Sequence, residues 1–199
     1  MSYYEIIADT FQATIHNIAM SVDDLAPPVE NASQLITQAL LQDHKILTCG
    51  NGVDAAQAQL FTTNLLSHFE QERPALPAFN LASDSASLTA IAQGNDSSEI
   101  FSRQIRALGQ EGDVLLVINS GSESQDLQQA IEAAHERNMA VISLSNAADN
   151  IGGNSPLPGS VEIIINANTR PRIVELQIMV IHALCALTDH SLFGSYNQE

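Results

Sequence analysis

Two strand-like runs constrain what this chain can fold into. DVLLVIN, Asp113 to Asn119, is apolar without a break from Val114 to Ile118, and AVISLSN, Ala140 to Asn146, opens on Ala-Val-Ile and carries only small or uncharged residues after it. Such runs fit strands covered on both faces, as in a parallel sheet. Between them, Ser124 to about Arg137 has helical spacing. KILTC gives another strand at Lys45 to Thr48, PALPAFNL ends in a short one, and VEIIINAN gives one more. Helices are expected from Gly52 to about Glu70, over Ala86 to Gln93 and Ser98 to Leu108, and from Ile173 to about Thr188. Strands alternating with helices predict an α/β three-layer sandwich with a parallel sheet and helices on both faces.

The N-terminus is different. Tyr3, Ile6, Ile7, Phe11, Ile15 and Ile18 recur at helical spacing between Ser2 and Val22. Pro27-Pro28 is expected to end that helix, because proline has no N–H to donate and its ring clashes with the preceding turn. A second helix is expected over Glu30 to Leu41. The whole chain of 199 residues fits one domain, with residues 1–42 as a helical extension.

Charge narrows the function classes. Seven Lys and Arg against 23 Asp and Glu give a formal net charge of −16. Direct binding to nucleic-acid phosphates is disfavoured, because it depends on cationic neutralisation. No apolar run approaches the roughly 20 residues of a membrane span, and MSYYEIIADTFQ lacks the basic and apolar regions of a signal peptide. Cys49 and Cys185 lie far apart in apolar stretches, so the expectation is two buried free thiols in a reducing cytoplasm.

Ligand sites in parallel α/β sheets lie at the carboxyl ends of strands. Two loops qualify. Gly50-Asn51-Gly52 follows the KILTC strand, and the helix after it points free backbone N–H groups at the turn, where an anion can be held. Asn119-Ser120-Gly121-Ser122-Glu123-Ser124 follows DVLLVIN and offers hydroxyls at the start of another helix. Together the loops suggest one phosphate grip, with Asn51, Gly52, Ser120 and Ser124 as its candidate residues. Asp54 and Gln57 have the spacing of a capping box, which predicts that Asp54 caps its own helix; Ser122 and Gln125 repeat that spacing.

KILTCGNG, ERPALPA, IFSRQIRALGQEGDVLL and RIVELQIMVIHALC, in this order, resemble the sugar isomerase (SIS) domain of the phosphoheptose isomerase family. The resemblance implies a five-stranded, flavodoxin-like parallel sandwich assembled as a homotetramer, with sites at subunit interfaces and residues 1–42 in the oligomer interface. Members of the family convert sedoheptulose 7-phosphate to D-glycero-D-manno-heptose 7-phosphate by proton transfer. Their first loop carries Ser where this chain has Asp54. A negative charge there opposes a phosphate dianion, at a cost of about 4 kcal/mol at ~4 Å and intermediate dielectric. The family's His and Glu, four residues apart on one helical face, correspond to Leu60 and Asn64. Its Asn-Asp pair corresponds to Gln93-Gly94 and its late Gln to Val174. Only its final histidine persists, as His182. Zinc, which the isomerases place near these His, Glu, Gln and His positions, would retain one ligand, so no cofactor is expected.

Other stretches resemble a non-catalytic branch of the family, the DnaA initiator-associating proteins. They are CGNGVDAAQAQLF, SLTAIA, RALGQEGDVLL and ALCALTDHSLFG, the last with a Leu-Phe pair at Leu192-Phe193. Asp54, Leu60 and Glu123 depart from that branch too. The resulting expectation is a non-catalytic homotetramer that binds the replication initiator DnaA through Leu192 and Phe193 and promotes initiation of chromosome replication. Phosphoheptose isomerase is the alternative, and a phosphosugar sensor a further one.

Overall fold

A computed structural model describes residues 1–94, 96–121, 124–148 and 159–194. Five strands form one sheet: β1 (Ile46–Cys49), β2 (Ala78–Asn80), β3 (Val114–Ile118), β4 (Ala140–Asn146) and β5 (Val161–Ile165). The order is β2-β1-β3-β4-β5 and every pairing is parallel. Among the described residues six α-helices accompany them, with a 3-10 turn at Ser97–Glu99: α1 (Tyr3–Leu41), α2 (Val53–Leu66), α3 (Ser85–Gly94), α4 (Ser102–Leu108), α5 (Gln125–Glu136) and α6 (Arg170–Phe193).

The apolar runs behave as their pattern requires. All five residues of β3 are buried. Val114, Leu116 and Ile118 join a core with Ile36 of α1, Phe61 and Leu65 of α2 and Ile181 and Leu184 of α6. Leu115 and Val117 join the opposite core with Ile105 of α4 and Leu127 and Ala130 of α5. Burying each large apolar side chain contributes roughly 1.5–3 kcal/mol.

Two expectations need correction. Pro27-Pro28 does not end the first helix: α1 runs 39 residues straight through both prolines. The carbonyls deprived of partners belong to Asp23 and Asp24, which are exposed to water. Contacts on either side hold the helix. Thr14 donates to Glu175 at 2.9 Å, and Val29, Ala32 and Ile36 beyond the prolines are buried. Helix α6 is also longer than expected, ending at Phe193. Leu192 and Phe193 are therefore its last turn: Leu192 packs against the core and Phe193 is half exposed. Among the described residues α6 is the one helix long and apolar enough to cross a membrane. Its Leu176, Val180, Ile181 and Leu184 are buried in the core, which accounts for its apolarity here.

Arg73 fastens α2 to α6. Its Nε donates to Asp189 Oδ1 at 2.8 Å, Nη2 to the Asn64 carbonyl at 2.8 Å and Nη1 to the Leu65 carbonyl at 2.8 Å. Both side chains of the ion pair are about 95% buried, at 4% and 5% exposure. Arg73→Ala leaves Asp189 as an uncompensated buried charge, and should cost about 3–5 kcal/mol in urea unfolding. Cys49 and Cys185 are free and buried. Burial pushes the Cys185 thiol up to about 12, and burial followed by the nearby Asp126 charge pushes Cys49 higher still. Neither thiol should react with a disulfide reagent at pH 8 until the protein is unfolded.

Candidate functional site

The strand order reverses direction between β1 and β3, which opens a crevice at their carboxyl ends. The two loops singled out in the sequence meet there. At the first, Gly52 holds φ 60° and ψ −116°, a conformation that favours glycine, and α2 starts at the next residue. Gly50 is required for a different reason. A Cβ on it would come within 2.8 Å of the Asp54 carbonyl carbon and 3.0 Å of its Cβ. The turn is thus shaped around Asp54.

Asp54 does not cap its own helix, and the capping expectation is corrected. The α2 N-cap is Gly52, with no side-chain cap. The Asp54 carboxylate reaches across to the second loop. It accepts the Ser120 backbone N–H at 3.0 Å and the Ser120 hydroxyl at 2.5 Å. Gln57 Nε2 donates to it at 3.1 Å, so the Asp54–Gln57 spacing produces a side-chain pair instead of a capping box. Arg170 Nε donates to Ser120 Oγ at 3.1 Å, and Arg170 Nη2 lies 3.8 Å from Asp54 Oδ2. A loop donor wins over the helix's own N–H groups because Ser120 offers two donors at once and Arg170 adds opposite charge.

Beneath the loops runs a buried amide chain. Gln57 Nε2 donates to Gln177 Oε1 at 3.0 Å, and Gln177 Nε2 donates to the carbonyls of Asn119 at 3.1 Å and Leu144 at 3.3 Å. A second tie joins the loops nearer the surface. Asn51 Nδ2 donates to Asp126 Oδ2 at 2.8 Å and to Ser124 Oγ at 3.2 Å, and the Ser124 hydroxyl donates to Asp126. A cavity of about 350 Å³ opens beside this tie, lined by Asp96, Ser97, Ser98, Ile100, Ser124, Gln125 and Asp126.

Of the four expected ligand residues, Asn51 and Ser124 are hydrogen-bonded to each other, Ser120 is engaged by Asp54 and Arg170, and Gly52 shapes the turn with its backbone alone. Ser120 is 2% exposed, and its hydroxyl serves both Asp54 and Arg170. Ser122 and Glu123 lie outside the described residues. Leu60 packs against the core, and Asn64 Nδ2 approaches Cys185 Sγ at 3.8 Å. Val174 is half-buried on α6, and Gln93 and Gly94 are exposed at the end of α3. His182 is exposed, with its ring 5.5 Å from that of Phe69. These side chains do not fit a zinc ion: Leu60 and Val174 have no donor atom, and Asn64 is turned to a thiol. Among the described residues, no three of His, Cys, Asp and Glu gather as metal ligands do.

Gln177, Arg170 and Asp126 were not singled out by sequence reasoning. Gln177 left a signal, as the one amide on the stripe Ile173, Leu176, Val180, Ile181, Leu184. So did Arg170, a cation in the first turn of a helix, where the helix dipole disfavours it. Asp126 carried none, since an acidic first turn is ordinary.

The fold and crevice define a doubly wound α/β protein with its site at the topological switch point. Comparison with known proteins narrows the class. The SIS domain family model matches residues 10–146. A phosphoheptose isomerase of Chromohalobacter salexigens is 42% identical over 197 residues, covering 98% of this chain and 99% of its own. One of Alkalilimnicola ehrlichii is 41% identical over 194 residues, covering 98% and 99%. A solved phosphoheptose isomerase structure from Francisella tularensis superposes with a TM-score of 0.90 at 34% identity, covering 96% of this chain and all of that one. This chain belongs to the SIS-domain proteins and, among them, to the phosphoheptose isomerase family.

That finding overturns the expectation of a non-catalytic scaffold for the replication initiator. Relatives at 40–42% identity over 98% of the chain carry the isomerase name. So does a second structure, from Neisseria gonorrhoeae, with a TM-score of 0.88. The Leu-Phe pair that suggested otherwise is the last turn of α6, with Leu192 packed on the core.

Replacing Gln177 by Met keeps its volume but removes the donor to Asn119 and Leu144. The Leu144 carbonyl keeps the Asn119 backbone N–H at 2.9 Å, whereas the Asn119 carbonyl loses its Gln177 donor, at about 1–3 kcal/mol, read as a drop in the urea midpoint.

Proposed function

We propose that this chain is a sugar-phosphate isomerase of the phosphoheptose type, acting on sedoheptulose 7-phosphate to give D-glycero-D-manno-heptose 7-phosphate. The supporting observation is similarity to phosphoheptose isomerases across 98% of the chain at 42% identity. The reaction moves a proton between adjacent carbons, so it needs an acid–base group within hydrogen-bond reach of the substrate. Leu60 and Val174 supply none, and the amide of Asn64 does not titrate usefully. Of the carboxylates joined to the two loops, Asp54 is enclosed by its partners, whereas Asp126 borders the open cavity; Asp96 lines the same cavity but is joined to neither loop and accepts the Ser98 backbone N–H as a helix cap. Asp126 is accordingly the group this reading assigns to proton transfer, with Asn51 and Ser124 orienting it. The two buried free thiols agree with a cytoplasmic location.

The side chains at Leu60, Asn64 and Val174 favour a second reading, in which the crevice holds a sugar phosphate without turning it over. Self-association belongs to either reading. Tyr3, Tyr4, Phe11, Ile15 and Met20 leave α1 with a long exposed apolar face. It continues into a cavity of about 190 Å³ between α1 and α6, lined by Ile18, Val22, Leu25, Leu176 and Met179 among others. Monomers seldom leave such a surface in water, and further copies of this chain, as a homotetramer, are the occupants we assign to it.

Purified protein should interconvert the two heptose phosphates, and Asp126→Asn should lower kcat by about 10²–10⁴-fold. Binding of sedoheptulose 7-phosphate without turnover selects the second reading, and no binding at millimolar ligand removes both. Light scattering should give a tetramer mass, reduced in Phe11→Asp with Ile15→Asp; a monomeric parent protein would sink the assembly.

A further inference from the structure

We propose that Asp54 is the specificity-determining residue of this crevice, its carboxylate acting as an internal competitor for the phosphate of an incoming ligand. This rests on the crevice being the ligand site.

The groups around the Asp54 carboxylate are those an anionic ligand needs. A backbone N–H and a hydroxyl come from Ser120, an amide N–H from Gln57, and a guanidinium from Arg170. A phosphate monoester is held by the same combination of backbone amide, hydroxyl and Arg. Asp54 is 2% exposed and is pressed against Gly50, where a side chain would not fit. The carboxylate thus occupies a cradle built for oxygen anions.

Two further observations point to a ligand. Asn119 Nδ2 and Gln57 Oε1 have no hydrogen-bond partner, although the residues are 4% and 3% exposed. Gln57 belongs to the amide chain under the Asp54 contact and Asn119 precedes Ser120 in the second loop, and buried polar atoms left this way are uncommon outside functional sites. Arg170 is the second. Its side chain is 56% exposed, yet it leans over the second loop, 3.8 Å from a Cβ built on Gly121. A cation in the first turn of α6 works against the helix dipole. A solvent-facing phosphate beside Ser120 would be its better partner.

An incoming phosphate must therefore displace the Asp54 carboxylate from Ser120 and share Arg170 with it. The chain favours sugar phosphates whose remaining hydroxyls bind strongly enough to offset that competition, and it discriminates against free phosphate.

Titration calorimetry with inorganic phosphate tests this on the full chain. Asp54→Ser should bind phosphate at least tenfold more tightly than the parent protein, and Asp54→Asn should show a smaller gain in the same direction. Adding Arg170→Ala to Asp54→Ser should abolish the gain. Equal affinity in the parent and either folded Asp54 variant overturns the proposal, as does a gain that survives loss of Arg170. If Asp54→Ser does not fold, the near-isosteric Asp54→Asn decides alone. Isomerase turnover is assayed separately, so a parent protein without turnover defeats the isomerase reading and leaves this comparison standing.

Discussion

Burial of β3 on both faces is the constraint that places every other element. Val114, Leu116 and Ile118 require α1, α2 and α6 on one side, while Leu115 and Val117 require α4 and α5 on the other. Neither layer can leave without returning a core to water. A strand fixed in this way also fixes where its loop emerges. Asn119 and Ser120 appear next to the Gly50-Asn51-Gly52 turn because β1 and β3 are hydrogen-bonded neighbours.

The crevice is held by polar contacts on that apolar frame. Asp54, Gln57, Ser120 and Gln177 are each at most 3% exposed, and they link α2, the loop after β3 and α6. Buried networks of this kind fix geometry, because breaking one member leaves further groups unpaired. Asp54 has the central place. Its negative charge is acceptable there because two donors on Ser120 and the Arg170 guanidinium compensate it. The family resemblance implies a serine at this position, so the charge at Asp54 is one of the site's departures from it, beside those at Leu60, Asn64 and Val174.

The parts of the site legible in the sequence were those set by local chain chemistry. Gly50-Asn51-Gly52 marked a tight turn, and a helix start after a strand marked an anion-binding position. The partner of Asp54 was not legible. The spacing to Gln57 suggests a local cap, whereas Ser120, 66 residues away, supplies the stronger donors. Arg170 and Gln177 reach the crevice only because α6 packs across it; the sequence marks each as unusual for its place on the helix but does not say what it meets. The Pro27-Pro28 boundary failed for a related reason. Local propensity opposes a helix there, but the burial of Val29, Ala32 and Ile36 beyond the prolines outweighs two lost hydrogen bonds at exposed carbonyls.

By itself the sequence determined the layered α/β class, the strand positions and the two loops that meet at the crevice. Those depend on hydrophobic period and on the conformations open to glycine and proline, which are properties of neighbouring residues. Only the tertiary structure decided that Asp54 spends its charge on Ser120 and Arg170, that α1 passes unbroken through two prolines, and that Leu192 turns back onto the core. Each of these is a competition between a local preference and a distant partner, settled only when packing brings the partner within hydrogen-bonding or van der Waals reach.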